Sequence, residues 1–348
     1  MNKQKRFFAW LLALAVAVVT LASCKADAKT EVDQTIAASN KSDATIPCEA
    51  HRELCVEAIP PRALSEGSRR YACSACGTER LEVIPATGQI SVLAIGNSFT
   101  QDSMEFLWQI CHDAGVKSVK LGYLFLGGSS LQNDVVNIRS NADIYTYSKT
   151  TTGEWSVRQS SISGALADDD WEIVVLRNYG SSLFTESSKW KYLDELVDYI
   201  RDRKPQARLY WHATWAYEQA HIDENYADFV KDQREMYLGM IEVLEGQILG
   251  RGCFETIIPC VSAIQNLRTS YLADQLTRDG YHLSYDIGRY TAALTWFCVL
   301  SGAPPEVVDW VPPINRGLGE HFPAIREAVA AAVQNPLAVT QSSYVTKK

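Results

Sequence analysis

Ser98 stands where an apolar run stops, in Ala94-Ile95-Gly96-Asn97-Ser98-Phe99-Thr100. Gly96 permits a sharp turn, which would leave the serine exposed above a sheet with its N–H near a helix start. Such a serine can attack a carbonyl if a base removes its proton. Ser98 or Thr100 could equally be no more than the cap of that helix. A base is offered by Arg278-Asp279-Gly280-Tyr281-His282-Leu283-Ser284. Asp279 and His282, three positions apart on an expected turn, can point the same way. The carboxylate could then accept from Nδ1–H, leaving Nε2 for the serine proton. His112 neighbours Asp113 in a helical pattern, where positions i and i+1 do not share a face. His212, at a strand end, is the competing base.

A tetrahedral oxyanion also needs preorganised N–H donors. Gly127-Gly128-Ser129-Ser130 and Asn178, in Leu176-Arg177-Asn178-Tyr179-Gly180, each follow a strand-like run. Taken singly, each also reads as a simple turn. There is no Gly-x-Ser-x-Gly, His-Glu-x-x-His, phosphate-binding loop or Gly-x-Gly-x-x-Gly. That sets aside nucleophile-elbow hydrolases, zinc proteases and nucleotide enzymes.

These residues need a scaffold. Short buried strands are expected at 91–95, 119–125, 171–176, 208–213 and near 257–258. Helices are expected at 104–114, 188–203, 225–249, 286–300 and 319–333, with a hairpin insertion at 144–157 around Gly153. Strands separated by helices at this spacing argue for a parallel sheet covered on both faces. In such sheets reactive groups gather beyond the carboxyl ends of the strands.

The Ser, Gly, Asn and Asp-x-x-His pieces, in that order, resemble the four blocks of the SGNH hydrolase (GDSL esterase) superfamily. The text around Ser98 and His282 resembles a largely uncharacterised bacterial branch of it. The resemblance implies a three-layer α/β/α, flavodoxin-like domain, placed at 89–335. It implies Ser98 as nucleophile, His282 as base, Asp279 as its orienting acid, and the Ser98 N–H, Gly128 and Asn178 as oxyanion donors. No cofactor is needed for that chemistry. This chain departs from the pattern by reading Gly-Asn-Ser-Phe where Gly-Asp-Ser is usual, and by Leu176 and Tyr179 in the third block, where Gly and Asp are usual. Tyr179, His212, Trp215 and Tyr281 are expected to line the substrate, stacking on sugar rings, although such aromatics also fill cores. The implied substrate is an O-acyl ester, such as acetyl, on a carbohydrate. The alternatives are a non-catalytic glycan-binding lipoprotein, or a lipase or thioesterase of the same fold.

The 348-residue chain carries 33 Lys and Arg against 41 Asp and Glu, a net charge of −8, which repels nucleic acid. Lys3, Lys5 and Arg6 precede an apolar stretch, 7–21, that ends in Leu21-Ala22-Ser23-Cys24. This reads as a lipoprotein signal peptide, 1–23, with Cys24 lipidated and the body tethered outside the cytoplasm in a bacterial cell envelope. A polar stalk, 24–42, and a Cys-rich module, 43–88, follow; residues 336–348 form a polar tail. Cys48-x-x-His51 and Cys73-x-x-Cys76 have the spacing of a structural zinc ribbon, while Cys48, Cys55, Cys73 and Cys76 could instead form two disulfides. Cys111, Cys253, Cys260 and Cys298 lie in apolar contexts and are expected to be buried thiols.

Overall fold

The computed structural model describes residues 51–177, 190–313 and 316–347. Expectations for the signal peptide, the stalk, Cys24, Cys48, Asn178 and Tyr179 fall outside these residues. Among the described residues the chain divides into two compact units, 51–60 with 67–84, and 61–66 with those from 85 onward. The boundary expected at 88 gives 61–66 to the smaller module. Those six residues instead pack in the larger unit. Ala63 is buried in its core, and the Leu64 N–H donates to the Ser301 carbonyl at 2.8 Å. The N–H groups of Thr87 and Gly88 bond the carbonyls of Arg62 and Ala63.

The smaller unit is an antiparallel sheet of β1 (Glu53–Ile59), β2 (Gly67–Cys73) and β3 (Glu79–Ile84), in that order. It has almost no apolar interior. Among its described residues Cys73 is the one buried side chain, while Leu54, Val56, Leu81 and Val83 are exposed. Ion pairs cross its surface, Arg70 to Glu57 and Glu79, and Arg80 to Glu53. Exposed pairs of this kind add little stability.

The larger unit opens with β4 (Gln89–Gly96), whose Ile90–Ile95 run is buried on both faces. There follow α1 (Ser98–Met104), α2 (Leu107–Asp113), β5 (Ser118–Phe125), α3 (Leu131–Ser140), β6 (Tyr145–Thr150), β7 (Ser156–Ser160), α4 (Ile162–Ala167) and β8 (Ile173–Arg177). Next come α5 (Lys191–Arg203), β9 (Arg208–His212), α6 (Gln219–Asn225), α7 (Gln233–Val243), β10 (Thr256–Ile258), α8 (Cys260–Arg268), α9 (Ile287–Ser301) and α10 (Phe322–Gln334). The sheet order is β10-β9-β8-β4-β5-β6-β7. The first five are parallel; β6 and β7 are an antiparallel hairpin added beside β5. Helices α3, α4 and α5 pack together, and α1, α2, α8 and α10 gather around α9, almost wholly buried. This is a three-layer α/β/α unit whose parallel strands follow the flavodoxin-like order. Its topological switch lies between β4 and β8, where ligands bind beyond the strand ends.

Two helices differ from expectation. The single helix read over 225–249 is broken: α6 ends at Asn225 and α7 starts at Gln233. Asp232 caps α7, its Oδ1 accepting the Glu235 N–H at 2.8 Å, an internal start signal that apolar periodicity hides. The helix read over 104–114 is α2, and a separate helix, α1, precedes it, started at Ser98 by the Asn97 cap. The polar tail is tied down, Thr340 N–H bonding Asn266 Oδ1 and Ser342 bonding Glu327. Cys111, Cys260 and Cys298 are buried as expected; Cys253 is half-buried. Among the described residues no helix is long and apolar enough to cross a membrane.

Candidate active site

Gly96 ends β4 because nothing larger fits: a Cβ there would meet Thr100 Oγ1 at 2.0 Å. Asn97 follows, buried and extended, and its Oδ1 accepts the Phe99 N–H at 3.0 Å, capping α1. Its Nδ2 donates to the Ser129 carbonyl at 3.2 Å. Aspartate could make the cap but could not donate. The asparagine that departs from the Gly-Asp-Ser pattern therefore has a second task, binding the β4 turn to the loop after β5. Ser98 is the first residue of α1 and is half-buried.

The loop between α8 and α9 brings Asp279 and His282 to it. Asp279 Oδ1 accepts the backbone N–H groups of His282, at 2.8 Å, and Tyr281, at 3.4 Å. Its Oδ2 lies 2.7 Å from His282 Nδ1, and His282 Nε2 lies 2.8 Å from Ser98 Oγ. With the proton on Nδ1, the imidazole donates to Asp279 and accepts from the serine hydroxyl. Burial pushes the Asp279 carboxyl up, but the His282 ring and the two backbone donors hold it below its ordinary value. The Phe99 ring meets the imidazole edge-on at 5.8 Å, and Tyr281 flanks it at 4.1 Å. Gly280, at φ 92°, leaves no room for a side chain, since a Cβ would meet His221 Cβ at 2.5 Å.

Asp102, missed in the sequence reading, fixes this loop. It is fully buried, four residues beyond Ser98 on α1. It accepts from Arg278 Nη1 at 3.0 Å, Arg289 Nε at 2.8 Å and the Leu283 N–H at 3.0 Å. Arg278 Nη1 also bonds the Leu283 carbonyl. The only sequence signal was an acid four residues after the serine on a helix, the spacing at which side chains share a face.

Gly128 adopts φ 64° with open space around it, so glycine serves conformation there. The Ser129 N–H closes the turn onto the Leu126 carbonyl at 3.0 Å. Ser129 Oγ donates to Asp134 Oδ1 at 2.6 Å, and Tyr145 OH donates to the same oxygen at 2.8 Å. Arg177, also buried, reaches Asp134 Oδ2 at 3.2 Å. The Gly128 turn and the last residue of β8 are thereby joined through one carboxylate. Asn178 and Tyr179, which follow, are outside the described residues.

Two expected substrate contacts are core residues instead. His212 is buried, its Nε2 3.3 Å from Ser103 Oγ, and burial, with the Arg177 charge, pushes its pKa down to about 3. A neutral imidazole enclosed there can neither touch substrate nor compete with His282 as base. Trp215 is also fully buried; its Nε1–H donates to the Tyr281 carbonyl at 2.7 Å and its ring packs on Phe99 at 4.8 Å. It supports the His282 loop from beneath. Tyr281 itself remains half-exposed beside His282.

In the smaller unit, donor atoms of His51, Cys73 and Cys76 all lie within 4.8 Å of one another. Cys76 Sγ is 3.4 Å from His51 Nδ1. The His51 side chain, then the N–H groups of Ala75 and Cys76, lower the Cys73 thiol to about 5. Two sulfurs and one imidazole nitrogen at this separation suit a tetrahedral zinc ion.

A family described as a domain of unknown function, DUF4886, matches residues 91–312. The crystal structure of a DUF4886 family protein from Bacteroides uniformis is 35% identical, with a TM-score of 0.68, over 74% of this chain and all of that one. More distant solved structures include a candidate SGNH hydrolase from Slackia heliotrinireducens, 18% identical with a TM-score of 0.42 over 60% of this chain and 97% of that one. An acetyl xylan esterase is 11% identical with a TM-score of 0.40 over 60% of this chain and 99% of that one. No curated protein matches the chain.

Proposed function

This chain belongs to the DUF4886 family, and we propose that it is a serine esterase with Ser98 as nucleophile. The observation that carries this reading is the unbroken relay from Ser98 Oγ through His282 to Asp279, at 2.8 and 2.7 Å. Ser98 attacks the ester carbonyl as Nε2 takes its proton, and Asp279 steadies the imidazolium. The carbonyl oxygen gains the negative charge, and the Ser98 and Gly128 N–H groups, with the Asn178 amide, are the proposed donors to it. His282 then gives its proton to the leaving alkoxide as the acyl–Ser98 ester forms. Water, deprotonated by the same nitrogen, hydrolyses that ester and restores the serine. The substrate class proposed is an O-acyl, above all O-acetyl, ester of a carbohydrate outside the cytoplasm.

The test is turnover of 4-nitrophenyl acetate and of acetylated sugars by the mature protein and by Ser98→Ala. The variant should lose hydrolysis while unfolding at the same urea concentration as wild type. Full activity in Ser98→Ala would remove the assignment. Preference for long acyl chains would favour a lipase or thioesterase, and sugar binding without turnover a glycan-binding protein.

Two further readings belong to the N-terminal half. The basic start, apolar run and Leu-Ala-Ser-Cys sequence support lipidation at Cys24, tested by palmitate labelling of wild type against Cys24→Ala. The His51–Cys73–Cys76 cluster supports a structural zinc site in a unit with almost no apolar core, and the Cys-x-x-His spacing makes Cys48 the proposed fourth ligand. About one zinc per chain is expected; finding Cys48, Cys55, Cys73 and Cys76 all oxidised would replace that reading with disulfides.

A further inference from the structure

Tyr281 lines a cavity of about 230 Å³ together with Tyr217, His221, Asn225 and Tyr226. Four of these are rings in mutual contact. Tyr217 lies 5.4 Å from Tyr226 and 5.7 Å from Tyr281, and His221 lies 5.1 Å from Tyr281 and 5.8 Å from Tyr226. Three phenols, an imidazole and an amide make the wall polar as well, with Asn225 Nδ2 3.3 Å from His221 Nδ1. A wall of that kind suits a small hydroxylated ring, whose C–H faces pack on aromatics while its hydroxyls find partners.

The cavity is built into the His282 loop. The Glu218 N–H donates to the Gly280 carbonyl at 2.7 Å, and Gly280 lacks a Cβ where His221 presses against it. Asn225 Nδ2 donates to the His221 carbonyl at 3.1 Å, so the last turn of α6 is braced as well. Sheet order gives the direction. The Gly128 turn follows β5, on one side of β4, whereas α6 and Tyr217 follow β9, on the other. In a serine esterase His282 protonates the leaving oxygen, so the leaving group lies on the imidazole side and the carbonyl oxygen on the donor side.

Resting on the esterase reading above, we propose that this cavity is the leaving-group subsite and holds a sugar ring of the ester, with Asn225 and Tyr226 as specificity-determining residues. The test compares kcat/KM for glucose pentaacetate with that for 4-nitrophenyl acetate in wild type, Asn225→Ala and Tyr226→Ala. Each variant should lower the ratio of sugar ester to phenyl ester about tenfold, the size of one lost hydrogen bond or ring contact. Saturation-transfer NMR with free glucose, xylose and N-acetylglucosamine on the Ser98→Ala protein reads the subsite without turnover, and its signal should fall in both cavity variants. Equal losses on both esters, or no change in the ratio, would overturn the subsite. So would a selective loss on butyrate and octanoate esters, which would make the cavity an acyl pocket. If wild type hydrolyses no ester yet the sugar signal depends on Asn225 and Tyr226, the Ser98 reading fails while the sugar site stands.

Discussion

Asp102→Asn tests whether the active site is held by its buried carboxylate. The change keeps the shape of the side chain, removes its charge and replaces one acceptor by a donor. Two guanidiniums, Arg278 and Arg289, and the Leu283 N–H would compete for the remaining oxygen. Removing one partner of a buried ion pair costs about 3–5 kcal/mol. Here the aspartate is fully enclosed but the Arg278 and Arg289 side chains are 22% and 12% exposed, and Arg289 keeps Glu105 at 3.4 Å. Water and Glu105 offset part of the loss, so about 2–3 kcal/mol is expected from urea unfolding. The catalytic consequence is separate. His282 is the residue before Leu283, whose N–H Asp102 holds, and a displacement near 1 Å can lower turnover about 100-fold. Turnover of 4-nitrophenyl acetate, measured well below the unfolding transition, should therefore fall by at least tenfold in Asp102→Asn. A variant as stable and as active as wild type would refute the tethering argument.

Acid stability should be set in part by His212. Its folded pKa, about 3, lies below the ordinary 6.5, so the unfolded chain binds the extra proton first. Its contribution is complete above pH 6.5 and is lost as pH falls towards 3, at up to about 1.4 kcal/mol per pH unit; urea melts of His212→Asn should show a shallower fall in that window, and an unchanged slope would mean His212 is protonated in the fold. Asn97→Asp should retain the α1 cap yet lose the donor to Ser129, leaving an acceptor against a carbonyl, at about 1–3 kcal/mol. Its turnover should drop more than that of Thr100→Ser, a change confined to α1; equal effects would separate the Asn97 bond from catalysis.

The central strands are legible because burial on both faces makes β4, β8 and β9 nearly continuous apolar runs. The Ser98 and Asp279–His282 segments were legible because each is a local pattern whose chemistry is visible without its partner. Other features depend on context that local patterns lack. Asp102 gains its meaning from arginines 176 and 187 residues away. Helix α3 starts on a signal that the local pattern disguises: Ser130 and Asn133 form its capping box, but the pair Ser129-Ser130 reads as the end of a glycine turn. His212 and Trp215 stand at and just beyond the carboxyl end of a strand, a position that predicts the rim. There the loop runs inward first, and Trp215 turns its N–H onto the Tyr281 carbonyl rather than to solvent.

Helix α1 is the common reference for the whole site. Its cap residue, Asn97, bonds the Gly128 turn; its first residue, Ser98, meets His282; and Asp102, just over one turn later, holds the loop that carries His282. Seven residues are too few for a helix to be stable alone. Its form is imposed by burial of Phe99, Thr100, Asp102, Ser103 and Met104 and by packing against α9, which is itself almost wholly enclosed. A substitution in the Gly128 turn or in the His282 loop then disturbs one partner of the serine, whereas one that loosens α1 disturbs all three together. The arrangement places Ser98, the proposed nucleophile, on a largely buried helix and aligns the remaining groups to it by a few hydrogen bonds.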